Sequence, residues 1–201
     1  MELTYDFDTK DKNILEAARL EFLEYGFSNA STRSIARKAG LTTGAVYQHF
    51  GNKQKLFSRL VDPFISLLKS HYESLLKTTY HESSVINAEQ RMSNSNSITD
   101  TLIDDIYNHY DLFQLIISKS KGTPYENMLE KVAVFTVQTE THILGRIPVD
   151  NHFKNYSDDI DQDVLHAVAR GYWSSFVDII LHDYGVIAAK NKIHQMNQFF
   201  Y

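Results

Sequence analysis

Between Tyr25 and Val61 the sequence contains Arg33, Arg37, Lys38, Lys53, Lys55 and Arg59 and no aspartate or glutamate. The whole chain carries a formal charge of −5, so this stretch is a basic island on an acidic protein. Clustered cations displace condensed counterions from a polyanion, the electrostatic footprint of a nucleic-acid-binding face. The island also holds side chains suited to groove and backbone contacts. Thr43 can donate to or accept from a base edge; Thr42 stands beside it, and Gly44 is small enough to let a backbone come close. Tyr47 offers a hydroxyl to phosphate or sugar, and Gln48 and His49 extend the same surface. Lys53 can pair with a phosphate near the positive end of the helix it opens, and Thr32 and Arg33 can do likewise. Glycine at position 44 weakens a solvent-facing helix by ~1 kcal/mol relative to alanine, which close approach to DNA would offset. A merely solvated basic face is the plainer alternative, but the charge coincides with a specific helical pattern.

That pattern runs from Ser31 to Lys53, STRSIARKAGLTTGAVYQHFGNK. Ser31 or Thr32 can cap a first helix, because a short side-chain oxygen accepts from the free N–H groups of an opening turn. Ile35, Ala36 and Ala39 fall at helical spacing, with Arg33, Arg37 and Lys38 on the outer side. Gly40 follows where a helix C-terminus needs a residue tolerant of positive φ. Thr42 caps a second helix, whose apolar residues are Ala45, Val46 and Phe50. The two form a helix-turn-helix, in which the second helix enters the major groove and the first braces it across the backbone.

Residues 14–57 resemble the DNA-binding domain of the tetracycline-repressor (TetR) family. The matching positions are Ile14, Ala17–Ala18, Phe22, Gly26, Thr32, Ile35–Ala36, Ala39–Gly40, Gly44, Tyr47, His49–Phe50, Lys53 and Leu56. The rest of the chain resembles the family only in length and all-helical pattern. The resemblance implies a homodimeric transcriptional regulator, usually a repressor that leaves a palindromic operator when it binds a small-molecule effector. It implies no pocket residues, since the ligand-binding half of such regulators diverges freely. A DNA-binding factor without an effector, or one regulated by a partner, is the alternative.

The expected fold is all-α, with a helix-turn-helix domain over residues 1–52 and a helical effector-binding and dimerisation domain over 53–201. A first helix beginning at Asp8 or Thr9 presents Ile14, Ala17, Ala18 and Phe22 and ends at Gly26; it covers the back of the two short ones. Asn52 caps a long fourth helix, and Asp62-Pro63 should kink or restart it, marking the boundary with the rest. Residues 80–97 are poor in large apolar side chains and read as a loop, with a short helix around 85–92. A helix from Ser97 or Thr99 ends at Gly122. Thr123-Pro124-Tyr125-Glu126 then signals a new helix, with a threonine cap, proline at the first position and a capping-box glutamate. Residues 151–161 form a loop to a cap at Ser157 or Asp161.

The helix over 164–184 is apolar over much of its circumference, which requires burial on more than one side. Val168, Gly171, Ser175 and Ile179 form one stripe. The final helix, 186–201, places Ile193, Met196 and Phe200 in register. Two such helices resemble the pair that closes a TetR-type dimer, four packing across a two-fold axis. Tyr107, Tyr110, Phe113, Phe135, Tyr172, Trp173 and Phe176, with Thr139 among them, are candidates to line a cavity for a mainly apolar ligand. Most aromatics at helical spacing are simply core.

No catalytic or metal-binding residue and no cofactor is expected. Cysteine is absent, which excludes disulfides, thiolate metal sites and cysteine nucleophiles. No G-x-S-x-G, phosphate loop or H-E-x-x-H occurs. His182-Asp183 resembles a paired ligand of HD-type metal-dependent hydrolases, a remote reading, since no upstream histidine with a plausible partner accompanies it. No signal-peptide layout or bilayer-length apolar run is evident, so a cytoplasmic protein without membrane partners is expected.

Overall fold

A computed structural model describes residues 9–81, 88–144 and 161–198 of the chain. Among the described residues there are nine α-helices and no strand: α1 Thr9–Asn29, α2 Thr32–Lys38, α3 Thr43–Phe50, α4 Lys53–His81, α5 Ala88–Asn108, α6 Tyr110–Ser118, α7 Met128–Leu144, α8 Gln162–Leu181 and α9 Val186–Asn197. The all-α expectation holds. The chain divides into two compact units, one comprising the chain up to Ser70 with Asp105–Glu126, the other His71–Asp104 with the chain from Asn127 onward.

The first unit is built on aromatic packing. Phe22 of α1 and Phe57 of α4 are fully buried and meet edge to face with ring centroids 5.1 Å apart. Phe27 closes the cluster at 5.4 Å from Phe57. Such edge-to-face pairs add roughly 0.5–1.5 kcal/mol beyond the apolar area they bury. Ile14, Ile35, Val46, Leu56, Val61 and Phe64 complete this core. Gly26 breaks the α1 helix with φ +72°, as expected, although one further turn follows to Asn29.

Pro63 does not interrupt α4, which runs through it as one 29-residue helix. Leu60, Val61, Phe64 and Leu67 are buried on the turns either side of it, so packing holds the helix on course despite the lost hydrogen bond. The compact units part at Ser70, within α4, rather than at Pro63. The stretch expected as a loop is largely helical: α4 reaches His81 and α5 starts at Ala88, while residues 82–87 lie outside the described set. The helix expected from 97 or 99 to Gly122 is divided at His109 (φ −128°, ψ 38°). The His109 ring packs 5.6 Å from Phe64 and bonds back to the Asp105 carbonyl.

Thr123–Glu126 forms a turn, not the expected helix start; α7 begins at Met128, after Asn127 with φ +59°. The threonine hydroxyl does accept from Tyr125 N–H, but the Glu126 carboxylate takes the Gly122 N–H. The capping chemistry therefore closes a tight loop. This loop lies against the end of α1, where Phe27 N–H donates to Lys119 O and Ser28 Oγ to Lys121 O. Tyr125 also donates its hydroxyl to Asp62 of α4.

In the second unit, α7 and α8 meet through Ala133, Val137 and Ala169, with Leu165 and Trp173 packed alongside. Small residues at the contact let the two backbones come close. Asp161 caps α8 by accepting from Asp163 N–H. A polar ladder joins α5 to α9: Asn197 donates to Asn96, His194 bonds Asp100, and Lys190 pairs with Asp104. Successive rungs fall three or four residues apart on each helix, the spacing that keeps them on one face.

Candidate nucleic-acid interface

Each helix of the helix-turn-helix starts as its cap residue dictates. Ser31 Oγ accepts from Ser34 N–H at 3.4 Å and opens α2. Thr42 Oγ1 accepts from Ala45 N–H at 3.1 Å and opens α3. Asn52 Oδ1 accepts from Lys55 N–H at 2.8 Å and opens α4. Gly40 turns the chain between α2 and α3 at φ +70°, a conformation that costs other residues steric strain. Val46 and Phe50 turn inward from α3, while Thr42, Gly44, Tyr47, Gln48 and His49 are exposed and Thr43 is half-exposed.

An open groove of about 710 Å³ runs between the start of α2 and the start of α3, lined by Ser31, Arg33, Ser34, Ala36, Arg37, Gly40, Leu41, Thr42 and Thr43. None of α2, α3 and α4 has an acidic residue in its first turn. The positive ends of their backbone dipoles are therefore not neutralised locally, which favours an approaching anion. Arg33, Arg37 and Lys55 are exposed and make no ion pair among the described residues. Arg37 and Ser34 were not singled out from sequence as contacts; the unbroken basic run was the signal for Arg37.

The other cations have internal partners. Lys38 pairs with Glu21 at 2.8 Å. Glu21 is buried on α1 and also accepts from Ser31 N–H at 3.1 Å and Ser34 Oγ at 2.8 Å. Burial pushes its carboxyl up, but the hydrogen bonds from Lys38, Ser34 and Ser31 outweigh this and hold it below the ordinary carboxylate range. Sequence reasoning missed Glu21, because its partners lie ten or more residues away. Lys53 Nζ donates to the carbonyls of Phe27, Ala30 and Ser28 at 2.8, 3.1 and 3.3 Å. His49 Nδ1 bonds Asp11 of α1 at 2.6 Å. Thr32 is largely covered.

The residues considered for an effector cavity fall in both units. In the first, Tyr107 and Tyr110 stack with centroids 5.9 Å apart, and Phe113 is buried. In the second, Trp173 meets Tyr172 and Phe176 edge to face, and its indole N–H donates to Thr136 at 2.9 Å. Phe135 is 40% exposed, and Thr139 bonds back to the Phe135 carbonyl. On the stripe considered for dimerisation, Val168 is 50% exposed and Val164 53%, Ser175 is exposed, and Gly171 faces open space. Ile179 and Met196 are half-buried, Ile193 is enclosed within its own unit, and Phe200 lies outside the described residues. His182, at the end of α8, bonds back to the Asp178 carbonyl. No cluster of three or more His, Asp or Glu able to hold a metal occurs among the described residues.

Residues 14–60 match the family model "Bacterial regulatory proteins, tetR family". The transposon Tn10 TetC protein of Escherichia coli is 25% identical over 88% of this chain and 81% of its own length. The transcriptional repressor AcnR of Corynebacterium efficiens is 43% identical, over 24% of this chain and 26% of its own length. The chain thus spans about a quarter of that relative's length. Among solved structures, the fatty acid degradation regulator FadR from Bacillus halodurans superposes with a TM-score of 0.55 at 16% identity, covering 96% of both chains. A FadR from Bacillus subtilis in complex with stearoyl-CoA gives 0.51 at 14% identity, covering 92% of this chain and 96% of its own. These two likenesses concern the fold. With the capped helix pair and the outward arginines in place, the matched segment is a helix-turn-helix of the kind that the tetR family of bacterial regulatory proteins carries, and the chain is similar to DNA-binding transcriptional regulators of that family.

Proposed function

We propose that the protein is a cytoplasmic homodimeric repressor that binds a palindromic operator and leaves it when a small, mainly apolar effector binds. The observation that carries the DNA side of this reading is the set of unpaired cations, Arg33 and Arg37, along the groove that leads to the start of α3. With Lys55 they supply phosphate contacts, while Thr42, Thr43 and Gly44 bring α3 close to base edges and Tyr47 and Gln48 flank them. His49, through Asp11, fixes α3 against α1, and Thr32 opens α2 beneath Arg33. In this reading residues 1–52 read DNA, while 53–201 dimerise and take the effector.

The half-exposed Val164 and Val168, in register with Gly171 and Ser175, support a second copy packing on α8. Two-fold symmetry in the protein then requires it in the site, with half-sites at least ~10 bp apart centre to centre. The aromatic group of the second unit, with Trp173 at its centre, is a candidate to contact the effector, and a FadR of similar fold is solved in complex with stearoyl-CoA. To weaken DNA binding 100-fold the effector must favour the non-binding conformation by ~2.7 kcal/mol.

Selection from a random duplex pool tests the reading. It should return a palindrome bound by a dimer. Thermal-shift screening with acyl and aromatic amphiphiles should find a compound that also releases that duplex. Equal affinity for selected and random DNA at physiological salt would overturn it.

A further inference from the structure

Lys53 stands at the first position of α4, where a cation opposes the helix dipole and where the sequence suggests a phosphate contact. Its surroundings specify a different job. An ammonium group has three N–H donors, and each has a carbonyl: Phe27 O at 2.8 Å, Ala30 O at 3.1 Å and Ser28 O at 3.3 Å. The ammonium itself lies over the Phe27 ring, with Nζ 4.7 Å from its centroid. Gly26 breaks the α1 helix just upstream, so these oxygens belong to the single turn that follows the break and to the link into α2, where carbonyls lack helical successors. The positive side chain at the head of α4 completes the tail of α1.

That tail leads directly into Ser31, the cap of α2, and so into the groove-lining Arg33. We propose that Lys53 is a positioning residue for DNA binding: it pins the α1–α2 junction to α4, and it contributes no phosphate contact itself. The inference rests on the DNA-binding reading above. The pin sets the angle at which α2 and α3 are presented, since the junction is held on one side by Lys53 and on the other by the Lys119 and Lys121 carbonyls.

The test compares Lys53→Met, Lys53→Arg and Arg33→Met, using the duplex that the wild-type chain selects from a random pool. Melting temperature of the free protein and affinity across a salt series are measured. A phosphate contact removed from each protomer of a dimer lowers the slope of log K against log salt by ~1.8. Lys53→Met should lower both the melting temperature and the affinity, the latter ~10-fold or more given the convergent charge-assisted bonds, with the slope unchanged. Lys53→Arg should remain impaired, because a planar guanidinium cannot aim three donors at three converging carbonyls. Arg33→Met should lower the slope and leave melting unchanged.

Loss of slope in Lys53→Met, with unchanged melting and rescue by arginine, would make Lys53 a phosphate ligand and overturn the proposal. Lowered melting with affinity intact would reduce it to a purely structural residue and overturn it equally. If the wild-type chain selects no palindrome, the operator reading fails. The same salt series on a random-sequence duplex then decides the role of Lys53.

Discussion

Glu21 is the residue through which the recognition unit is most open to a decisive perturbation. It is 2% exposed and receives Ser31 N–H, Ser34 Oγ and Lys38 Nζ at 3.1, 2.8 and 2.8 Å. Glu21→Leu keeps the volume and removes every acceptor. Lys38 can turn to water, so the expected cost lies in the part-buried Ser31 N–H and Ser34 hydroxyl. Leaving a buried donor unsatisfied costs ~1–3 kcal/mol and a partly buried one less, giving ~2–4 kcal/mol for the pair. For a chain of this size ~1 kcal/mol moves the melting temperature by about 2–4 °C, so a drop on the order of 4–16 °C is expected. Glu21→Gln keeps an acceptor for Ser31 and should lose about half as much. The folded carboxyl is held below its unfolded value, so its contribution is complete above the unfolded value near ~4.3 and fades as pH falls through the folded one. Wild type and Glu21→Leu should therefore differ most near neutral pH, and the gap should narrow in acid as the carboxyl protonates and only a neutral acceptor remains. Thermal melts by circular dichroism from neutral pH to pH ~3.5 measure this directly, the range bracketing the reference carboxylate value. A gap that stays constant with pH, or no gap at neutral pH, would refute the assignment of Glu21 as an ionised brace.

Two further outcomes follow from packing. Val168→Glu places a carboxylate on the exposed stripe of α8, where burial against a second copy would leave the charge unpaired; light scattering should show a monomer that keeps its helical content and loses operator affinity. Phe57→Ala removes a ring in contact with Phe22, Phe27 and Tyr125 and should cost ~3–5 kcal/mol, read as a lowered denaturation midpoint.

The parts of the fold that were legible in the sequence are those governed by short-range chemistry. Ser31, Thr42, Asn52 and Asp161 each cap the helix that their side-chain oxygen is placed to open, and Gly40 occupies the left-handed turn. A cap needs only its own two or three neighbours, so sequence is enough to find it. Pro63 misled because the lost hydrogen bond is local, whereas the burial of Val61 and Phe64 that outweighs it is tertiary. The Thr123–Glu126 signature misled in the opposite sense: the capping bonds form, but they close a turn held against α1 and α4. Lys53 shows the same limit at the candidate site. Its charge was legible, and its direction was not, because the carbonyls that receive it lie 23 to 26 residues upstream.

The direction of each cation matters more than their number for what the protein can do with DNA. Six basic side chains on an acid-free stretch suggest six phosphate contacts per protomer. The structure takes Lys38 into an ion pair with Glu21 and Lys53 into three backbone carbonyls, and Arg59 has a partner as well. Arg33, Arg37 and Lys55 are the remainder, all exposed. At ~0.9 per neutralised phosphate, a dimer using these three should show a salt slope of about −5, against about −11 if all six took part. Anisotropy titrations of a selected duplex between 50 and 200 mM salt, a range over which such slopes change affinity by orders of magnitude, distinguish the two. A slope near the larger value would mean that Lys38 and Lys53 abandon their partners on binding. The recognition unit would then have to rearrange around Glu21 and the end of α1, and the free protein would not be the DNA-competent form.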